Sequence, residues 1–431
     1  GNLNTTADNN VAVGYVALSA NTTGTNNVAV GKGSLDACTT SVSNVAIGND
    51  AGGAVTTGNG ENVFVGNRAG LGVTTGQQNI IIGDNACANG TMTGNLNVFI
   101  GDNAGLVNTT GANNTAVGTS TLNANTTASN NVAIGNSALV ANTTGAQNTA
   151  VGRLALDANT TANENTAIGN SALGANTTGA SNTAVGSSAL VANTTGASNV
   201  GIGDTALSKN TTASQNTAIG RSAMFNCTTG AGNTAVGHSS MDAVTTGTRL
   251  TALGKDSLGA NTTGSDNTGV GKDAVGAVTT GSHNTSLGKG AGIAITTGNF
   301  CTSIGSEANQ VGQTGEGNTI VGFNCEVSSS SVSNELVIAT NGMTGKGSQT
   351  AFINGGNGPT FNGNNTTTFA QTSDRRIKKD IIPNNKGLDS IKQIEPKYFY
   401  YKSDEEMQEE LPDAKEGLPL DKQFTSAIAQ E

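Results

Sequence analysis

The residues of this chain that could carry chemistry recur in a fixed pattern. The tripeptide Asn-Thr-Thr, as at residues 142–144, fits the acceptor sequence of N-linked glycosylation, and near-copies of it occur along most of the chain. Five Cys and two His are spread among these copies, without the spacing of a zinc site or of a disulfide framework. Any role for these side chains depends on the elements that position them.

The chain is a tandem repeat with a period of 17 residues. A glycine ends each stretch of the type Val-Ala-Val-Gly, and it recurs 19 times, with sixteen intervals of 17 residues and two of 18. We call these residues the coil glycines: Gly14, Gly31, Gly48, Gly66, Gly83, Gly101, Gly118, Gly135, Gly152, Gly169, Gly186, Gly203, Gly220, Gly237, Gly254, Gly271, Gly288, Gly305 and Gly322. A β-branched stretch ended by glycine is typical of a strand followed by a turn. One coil per repeat would place the rungs about 4.8 Å apart and give a rod on the order of 90 Å, whereas repeats extended along the axis would give a much longer rod.

Composition favours stacked coils over a conventional globular core. Of 431 residues, 61 are Gly, none is Trp and 3% are aromatic, so each unit must bury small side chains against the next. The net charge of −10 provides no basic surface for nucleic acid, and no run of 18 apolar residues could span a membrane. We predict an all-β fold, with a parallel β-roll or β-solenoid shaft in residues 1–327. A β-rich neck follows in residues 328–371, with strands near 335–339 and 351–353.

The strand of each repeat has two uncharged faces. Val151 and Thr149 share one face, and Ala150 and Asn148 share the other. A strand without charge on either face needs cover on both sides. We therefore expect Val151 to be a core residue and the second face to contact other copies of the chain in a homo-oligomer.

The Asn of the Asn-Thr-Thr tripeptide lies seven residues after the coil glycine. This position holds Asn21, Asn108, Asn125, Asn142, Asn159, Asn176, Asn193, Asn210 and Asn261, but also Val55, Val73, Val244, Val278, Ile295, Cys38 and Cys227. A glycan acceptor must lie in solvent, whereas a position that exchanges Asn with Val and Cys is sheltered. We interpret this Asn as a hydrogen-bonded ladder, with glycosylation as the alternative. The Asn four residues before the coil glycine, replaced by Leu250 and Cys301, predicts a second ladder.

The remaining reactive side chains receive structural interpretations. Cys38, Cys87, Cys227, Cys301 and Cys325 occupy places that otherwise hold Asn, Leu or Ala, so we predict buried free thiols that pack as small apolar groups. His238 and His283 lie in variable turns, where we predict solvated side chains without a role. We predict no cofactor and no metal, because calcium-binding repeats need an Asp in each turn. Ice binding by Thr ladders and a carbohydrate-active β-helix remain as alternatives, although no recurring carboxylate pair supports the second.

The repeat resembles two groups of fibrous proteins. The Val-Ala-(Ile/Val)-Gly coil resembles the head of trimeric autotransporter adhesins, and similar Asn-Thr-Thr-Gly repeats occur in tail-fibre-like proteins of phages and large viruses. The resemblance covers roughly residues 1–325. It implies a parallel β-roll in a homotrimer, although the repeat here is longer than in many autotransporter heads.

The composition changes sharply after residue 371. The stretch is charged, contains three of the four Tyr, and has apolar Leu388, Ile391 and Ile394 at helical spacing. Three ordered blocks, "SDRRIKKDI", "GLDSIKQIEPKYFYYK" and "AIAQE", resemble the intramolecular chaperone domain of endosialidase-type tail spikes. The resemblance implies a small α+β domain in residues 372–431 that drives trimer assembly and then cuts itself off. We expect this domain to be truncated, because the family continues past the third block.

The resemblance also implies a catalytic pair. Carried over by position, Ser373 is the nucleophile and Lys378 is its partner, with the scissile bond at Ser373. A Lys activates a Ser hydroxyl only when it is neutral, which desolvation or a nearby cation favours. The chain would then be at most a single-turnover, self-cleaving serine peptidase. The alternative is that Ser373-Asp374 caps a helix before a solvated basic run.

These observations predict a structural fibre or spike protein of a virus. We expect it at the virion surface, with a homotrimer and a host cell-surface receptor, glycans included, as its partners. The alternative is a trimeric adhesin on a bacterial cell surface, which a signal peptide or membrane anchor in the full-length sequence would favour. Because Gly1 is not an initiator Met, we expect the chain to be a fragment or a processed product.

Overall fold

The computed structural model describes residues 4–355, 359–362 and 370–371, and this part of the chain contains strands and turns but no helix. The strands are β1 (Val11–Val13), β2 (Val28–Val30), β3 (Val45–Ile47), β4 (Val63–Val65), β5 (Ile80–Ile82), β6 (Val98–Ile100), β7 (Thr115–Val117), β8 (Val132–Ile134), β9 (Thr149–Val151), β10 (Thr166–Ile168), β11 (Thr183–Val185), β12 (Val200–Ile202), β13 (Thr217–Ile219), β14 (Thr234–Val236), β15 (Thr251–Leu253), β16 (Thr268–Val270), β17 (Thr285–Leu287), β18 (Thr302–Ile304), β19 (Thr319–Val321), β20 (Leu336–Ala339), β21 (Ala351–Asn354), β22 (Pro359–Asn362) and β23 (Ala370–Gln371). The prediction of an all-β shaft is confirmed.

Each strand pairs in parallel with the strand of the next coil. Thr149 pairs with Thr166, which fixes the register at the 17-residue period. This pairing runs without a break from β1 to β21. Where the interval is 18 residues, Ala46 still pairs with Phe64, so the extra residue is absorbed in a turn. One repeat therefore makes one coil of a parallel β-solenoid.

Parallel stacking continues beyond the last coil glycine. Strand β20 pairs with β19, and β21 pairs with β20, so the two strands predicted in the neck are present and add two rungs. Ala339 follows Ile338 as Gly322 follows Val321, and it takes the place of a coil glycine. Strands β22 and β23 then pair antiparallel, which ends the parallel ladder.

Each coil turns through left-handed backbone. In the coil that ends at Gly152, Ser137, Leu139 and Gln147 have φ values of 58°, 53° and 60°. A left-handed residue other than glycine costs about 1–2 kcal/mol. Hydrogen bonds between coils offset this cost, as where the Leu139 N–H donates to the Ala155 carbonyl at 3.0 Å.

The coil glycines stack directly on one another. Gly152 has φ 137°, and a Cβ there would lie 2.4 Å from the carbonyl oxygen of Gly169. The same close approach recurs from coil to coil, as between Gly271 and Gly288. The glycine of the repeat is therefore required both by its backbone conformation and by the spacing of the rungs.

Alanine, not valine, lines the interior of the strands. Ala150 is fully buried, whereas Val151 and Thr149 lie on the outer face and are half-buried. The expectation that Val151 is a core residue is wrong, because the narrow coil accepts a small side chain from the strand. Where the inward residue is large, the opposite one is small: a Cβ on Gly105 would lie 2.8 Å from the ring of Phe99.

Candidate functional site

The Asn of the Asn-Thr-Thr tripeptide lies inside the solenoid. Asn142 is fully buried, and its Nδ2 donates to the Asn125 Oδ1 at 3.1 Å and to the Gly145 carbonyl at 2.9 Å. Its own Oδ1 accepts a hydrogen bond from the Asn159 Nδ2 at 2.9 Å. We call this column of residues the sequon ladder. The predicted ladder is present, and its buried amides leave no room for a glycan in the folded shaft.

The sequon ladder stops wherever the next coil lacks an amide. It runs through seven consecutive coils from Asn108 to Asn210, and Cys227 follows. The Oδ1 of Asn210 then has no hydrogen-bond partner among the described residues. The isolated Asn261, which precedes Val278, also has an unpaired Oδ1. A buried unpaired acceptor destabilises the fold by about 1–3 kcal/mol, so the ends of the ladder are its weak points.

A second ladder, which we call the strand ladder, runs beside the first. The Asn148 Nδ2 donates to the Ala162 carbonyl at 2.9 Å, and the Asn148 Oδ1 accepts the backbone N–H of Asn165 at 3.0 Å. Each amide thus ties its own coil to the next through backbone groups. This second prediction is also confirmed, and the ladder tolerates Leu250, whose N–H still donates to the Asn233 Oδ1.

Glu335 ends the strand ladder with a buried carboxylate. Its side chain is almost completely buried, and its backbone N–H donates to the Asn318 Oδ1 at 2.9 Å. The carboxylate accepts the N–H groups of Gly347 at 2.7 Å and of Ser328 at 2.9 Å. These bonds stabilise a charge that would otherwise be costly to bury, so Glu335 acts as a structural cap.

The two Thr of each tripeptide have different environments. The Thr143 hydroxyl donates to the Thr160 carbonyl of the next coil at 3.0 Å, whereas Thr144 is exposed. The first Thr therefore contributes to coil stacking, and the second forms an outer column of hydroxyl and methyl groups.

The five Cys are free and buried, as the sequence predicts. Burial raises the pKa of the Cys87 thiol to about 12 and that of the Cys227 thiol to about 11. Thiols with such pKa values remain protonated near neutral pH, so they act as packing groups rather than as nucleophiles.

The outer face of the strands carries an exposed apolar column. We define the outer column as the residue just before each coil glycine, together with Ile338; Ile134 and Ile168 in it are 40% and 41% exposed. Other members with a large exposed fraction are Val13, Ile47, Ile202, Ile219, Leu253, Leu287, Ile304 and Ile338. A contiguous apolar column of this kind marks an interaction surface, so it is the candidate site for self-association.

Two classes of site are not seen in the described residues. No group of three or more His, Cys, Asp or Glu there lies close enough together to hold a metal ion. Across the same residues, no helix has the length and apolar character needed to cross a membrane.

The predicted catalytic pair lies outside the described residues. Ser373 and Lys378 lie outside those residues, and so does the predicted helical run of Leu388, Ile391 and Ile394. The pair therefore stays a prediction, as do the α+β fold of residues 372–431 and the truncation of that domain.

Comparison with known proteins gives one match. Residues 373–431 match the family described as the chaperone of endosialidase, and the match begins at Ser373. No curated protein and no solved structure matches the chain. A parallel β-solenoid followed by this match fits a tail-fibre-like protein, and the match implies a role in assembly for the C-terminal residues.

One surface feature was missed by the sequence analysis. His283 is half-exposed, but it is not simply solvated, because its ring stacks on Phe300 with the centroids 4.9 Å apart. Both residues lie five residues before a coil glycine, in consecutive coils. Comparison of that one position along the repeats could have found the contact.

Proposed function

We propose that this chain forms the shaft of a homotrimeric viral fibre or spike that attaches the virion to its host. Residues 373–431 would promote assembly of the trimer. The observation that carries this proposal is the match to an assembly chaperone directly after a one-chain solenoid with an exposed apolar column.

The outer column supports self-association on physical grounds. Its Val, Ile and Leu side chains recur at the rung spacing, so copies of the chain can pack against one another along the whole shaft. Because every coil presents a similar side chain, a cyclic arrangement of identical chains would bury the column in each of them.

Two charged double variants test this surface. In a Ser373→Ala background, which prevents the proposed cleavage, Ile134→Glu with Ile168→Glu should abolish self-association, because the trimer would have to bury six added like charges at its interface. Thr144→Glu with Thr161→Glu places the same charges on exposed residues of another face and should leave assembly unchanged. Light scattering should give three times the 42.6 kDa of the chain for the parent and the control. A monomeric parent protein would refute the trimer.

The same proposal assigns a single self-cleavage at Ser373 to Ser373 and Lys378. With protein expressed from the complete gene, a denaturing gel should show two fragments for the parent and one intact chain for Ser373→Ala and Lys378→Ala. Lys386→Ala is the matched control and should still be cleaved. An uncleaved parent would overturn the catalytic assignment while leaving the assembly role to the light-scattering test.

A further inference from the structure

One exterior position changes its chemistry in four consecutive coils. We define the rim column as the residue five positions before each coil glycine. Most coils carry a small or uncharged polar residue there, such as Gln147 or Ser181. Successive coils of the distal part of the shaft instead carry Arg249, Asp266, His283 and Phe300, and Gly317 follows. Because the backbone is the same in every coil, this change is not required by the fold.

The four side chains contact one another in sequence. Arg249 makes two hydrogen bonds of 2.7 Å to the carboxylate of Asp266. The His283 Nδ1 lies 4.0 Å from the Asp266 Oδ2, and the His283 ring lies parallel to that of Phe300, with an angle of 3° between them. One face of Phe300 is therefore supported by a fixed stack, while the side chain is 59% exposed.

The coil after Phe300 lacks a side chain in the rim column. Gly317 stands there with φ 69°, and its N–H donates to the Asn299 carbonyl, which places it beside Phe300. The Asn334 Oδ1 lies 2.5 Å from the point where a Cβ of Gly317 would be. On the side of Phe300 away from His283, the rim column therefore presents the bare backbone of Gly317 with the Asn334 amide oxygen lying over it.

Polar groups lie next to Gly317 in the same coil and in the adjacent ones. The Asn299 Nδ2 donates to the Glu316 Oε1 at 2.9 Å, and the Glu316 side chain is exposed. The Glu316 carbonyl accepts the N–H of Asn334 at 2.8 Å, so the carboxylate and the amide belong to adjacent coils. Carboxylate and amide groups together offer acceptors and donors for hydroxyl groups.

We propose that Phe300, Glu316 and Asn334 form a binding site for a neutral saccharide. The C–H face of a sugar ring fits against the electron-rich face of Phe300, and the ring hydroxyls can bond to Glu316 and Asn334. Asp266 neutralises Arg249, so Glu316 gives the site a net negative charge, which disfavours sialylated and sulfated glycans.

This inference rests on the proposed fibre function, because it names a ligand class for an attachment surface. The two remain separable in experiment. A chain that assembles as a trimer but binds no neutral saccharide would overturn the inference and leave the fibre function standing.

The test is an array of immobilised oligosaccharides. Neutral oligomers of glucose, galactose, mannose and N-acetylglucosamine should include ligands, whereas sialylated and sulfated glycans should not bind. For the best neutral ligand, Phe300→Ala should weaken binding about tenfold or more in biolayer interferometry, a loss of about 1.4 kcal/mol.

Two control variants keep the experiment specific. Leu96→Ala removes an exposed apolar side chain from the same rim column, and Phe323→Ala removes an exposed Phe outside that column. Both should bind like the parent. Absence of neutral ligands, equal loss in either control, or a change of oligomeric mass in Phe300→Ala would overturn the proposal, the last because another copy of the chain would then occupy the site.

Discussion

Two stretches of the shaft have the same backbone but different chemistry. The central shaft, from Gly101 to Gly203, carries Asn at the sequon position of all six coils, whereas the distal shaft, from Gly220 to Gly322, mostly carries Cys, Val or Ile there. Among the described residues, four ion pairs between Lys or Arg and a carboxylate lie within the distal shaft, and another joins Arg221 to Asp204 at its start. The strand register does not change between the two stretches.

The comparison separates positions that fix the coil from positions that can vary. The coil glycines and the small inward strand residues are shared by both stretches. The sequon ladder is not shared by both stretches. Where adjacent coils both carry apolar residues at this position, they pack without leaving a buried polar group unpaired. A solenoid can therefore change its interior from polar to apolar without a change of fold, provided that neighbouring coils change together.

The largest expected effect concerns the feature that both stretches share. Gly152→Ala in the central shaft and Gly271→Ala in the distal shaft should each destabilise the neighbouring coils by roughly 4 kcal/mol or more, because the Cβ would meet a backbone carbonyl at 2.4 Å. Hydrogen exchange with mass spectrometry would measure the local loss of protection. Gly232→Ala is the control, since no atom lies within 4 Å of its Cβ and the expected cost is about 1 kcal/mol from φ 70° alone. Equal effects at Gly152 and Gly232 would refute the importance of glycine stacking.

The next largest effect is expected for Phe99 and Gly105, a large and a small core residue that pack against each other where the central shaft begins. Phe99→Ala should destabilise its coil by about 3–5 kcal/mol, because a cavity would remain beside Gly105. Adding Gly105→Leu should recover much of the loss, since Leu122 occupies the equivalent place in the next coil with a similar φ. Chemical denaturation of the single and double variants measures the coupling. If the double variant is less stable than Phe99→Ala, the two positions do not share one packing volume.

A smaller effect should distinguish the two stretches directly. Asn159→Val in the central shaft removes the donor to the Asn142 Oδ1 and the acceptor of the Asn176 Nδ2, with an expected cost of about 2–3 kcal/mol. Asn261→Val in the distal shaft removes an amide whose Oδ1 is already unpaired, so the only bond lost is the one from its Nδ2 to the Gly264 carbonyl, at a smaller expected cost of about 1 kcal/mol. Hydrogen exchange of the flanking coils would compare them. Equal costs would show that the ladder does not act as a connected network.

The smallest expected effect concerns the thiols of the distal shaft, which should not be alkylated in the folded chain. Cys227 and Cys301 are buried, and burial raises the pKa of each thiol above its ordinary value. At pH 8 the thiols of the folded chain should therefore resist iodoacetamide, while denatured protein should react at all five Cys. Mass spectrometry counts the adducts. Rapid labelling of Cys227 in the native chain would show that the distal shaft opens.

Sequence periodicity predicted the elements of the fold well, because each coil places a slightly different sequence on the same backbone and the coils can be compared position by position. The substitution of Asn by Val and Cys identified the buried ladders, and the Gly period identified the strands. The direction of the strand faces was not predictable in the same way. Both Ala150 and Val151 are apolar, and only the coil width decides that the smaller one points inward.

Other features depend on contacts between coils that a linear period does not display. The left-handed conformations of Leu139 and Gln147 lie at positions where a few other coils carry Gly105 or Gly232, a signal that most coils hide behind a larger residue. The stack of His283 on Phe300 joins residues 17 positions apart that differ in chemistry from their equivalents elsewhere. The pair Ser373 and Lys378 came from a family resemblance, and its geometry stays a prediction.

The sequon ladder also has an electrical direction. From Asn125 to Asn210, each Nδ2 donates to the Oδ1 of the preceding coil at 2.7–3.1 Å, so the amide dipoles align head to tail. Aligned dipoles add and polarise one another, as they do along a helix. The loss of an amide in the middle would divide one long dipole into two short ones, whereas a loss at Asn210 would only shorten it. The same substitution therefore has a different electrostatic consequence in each coil.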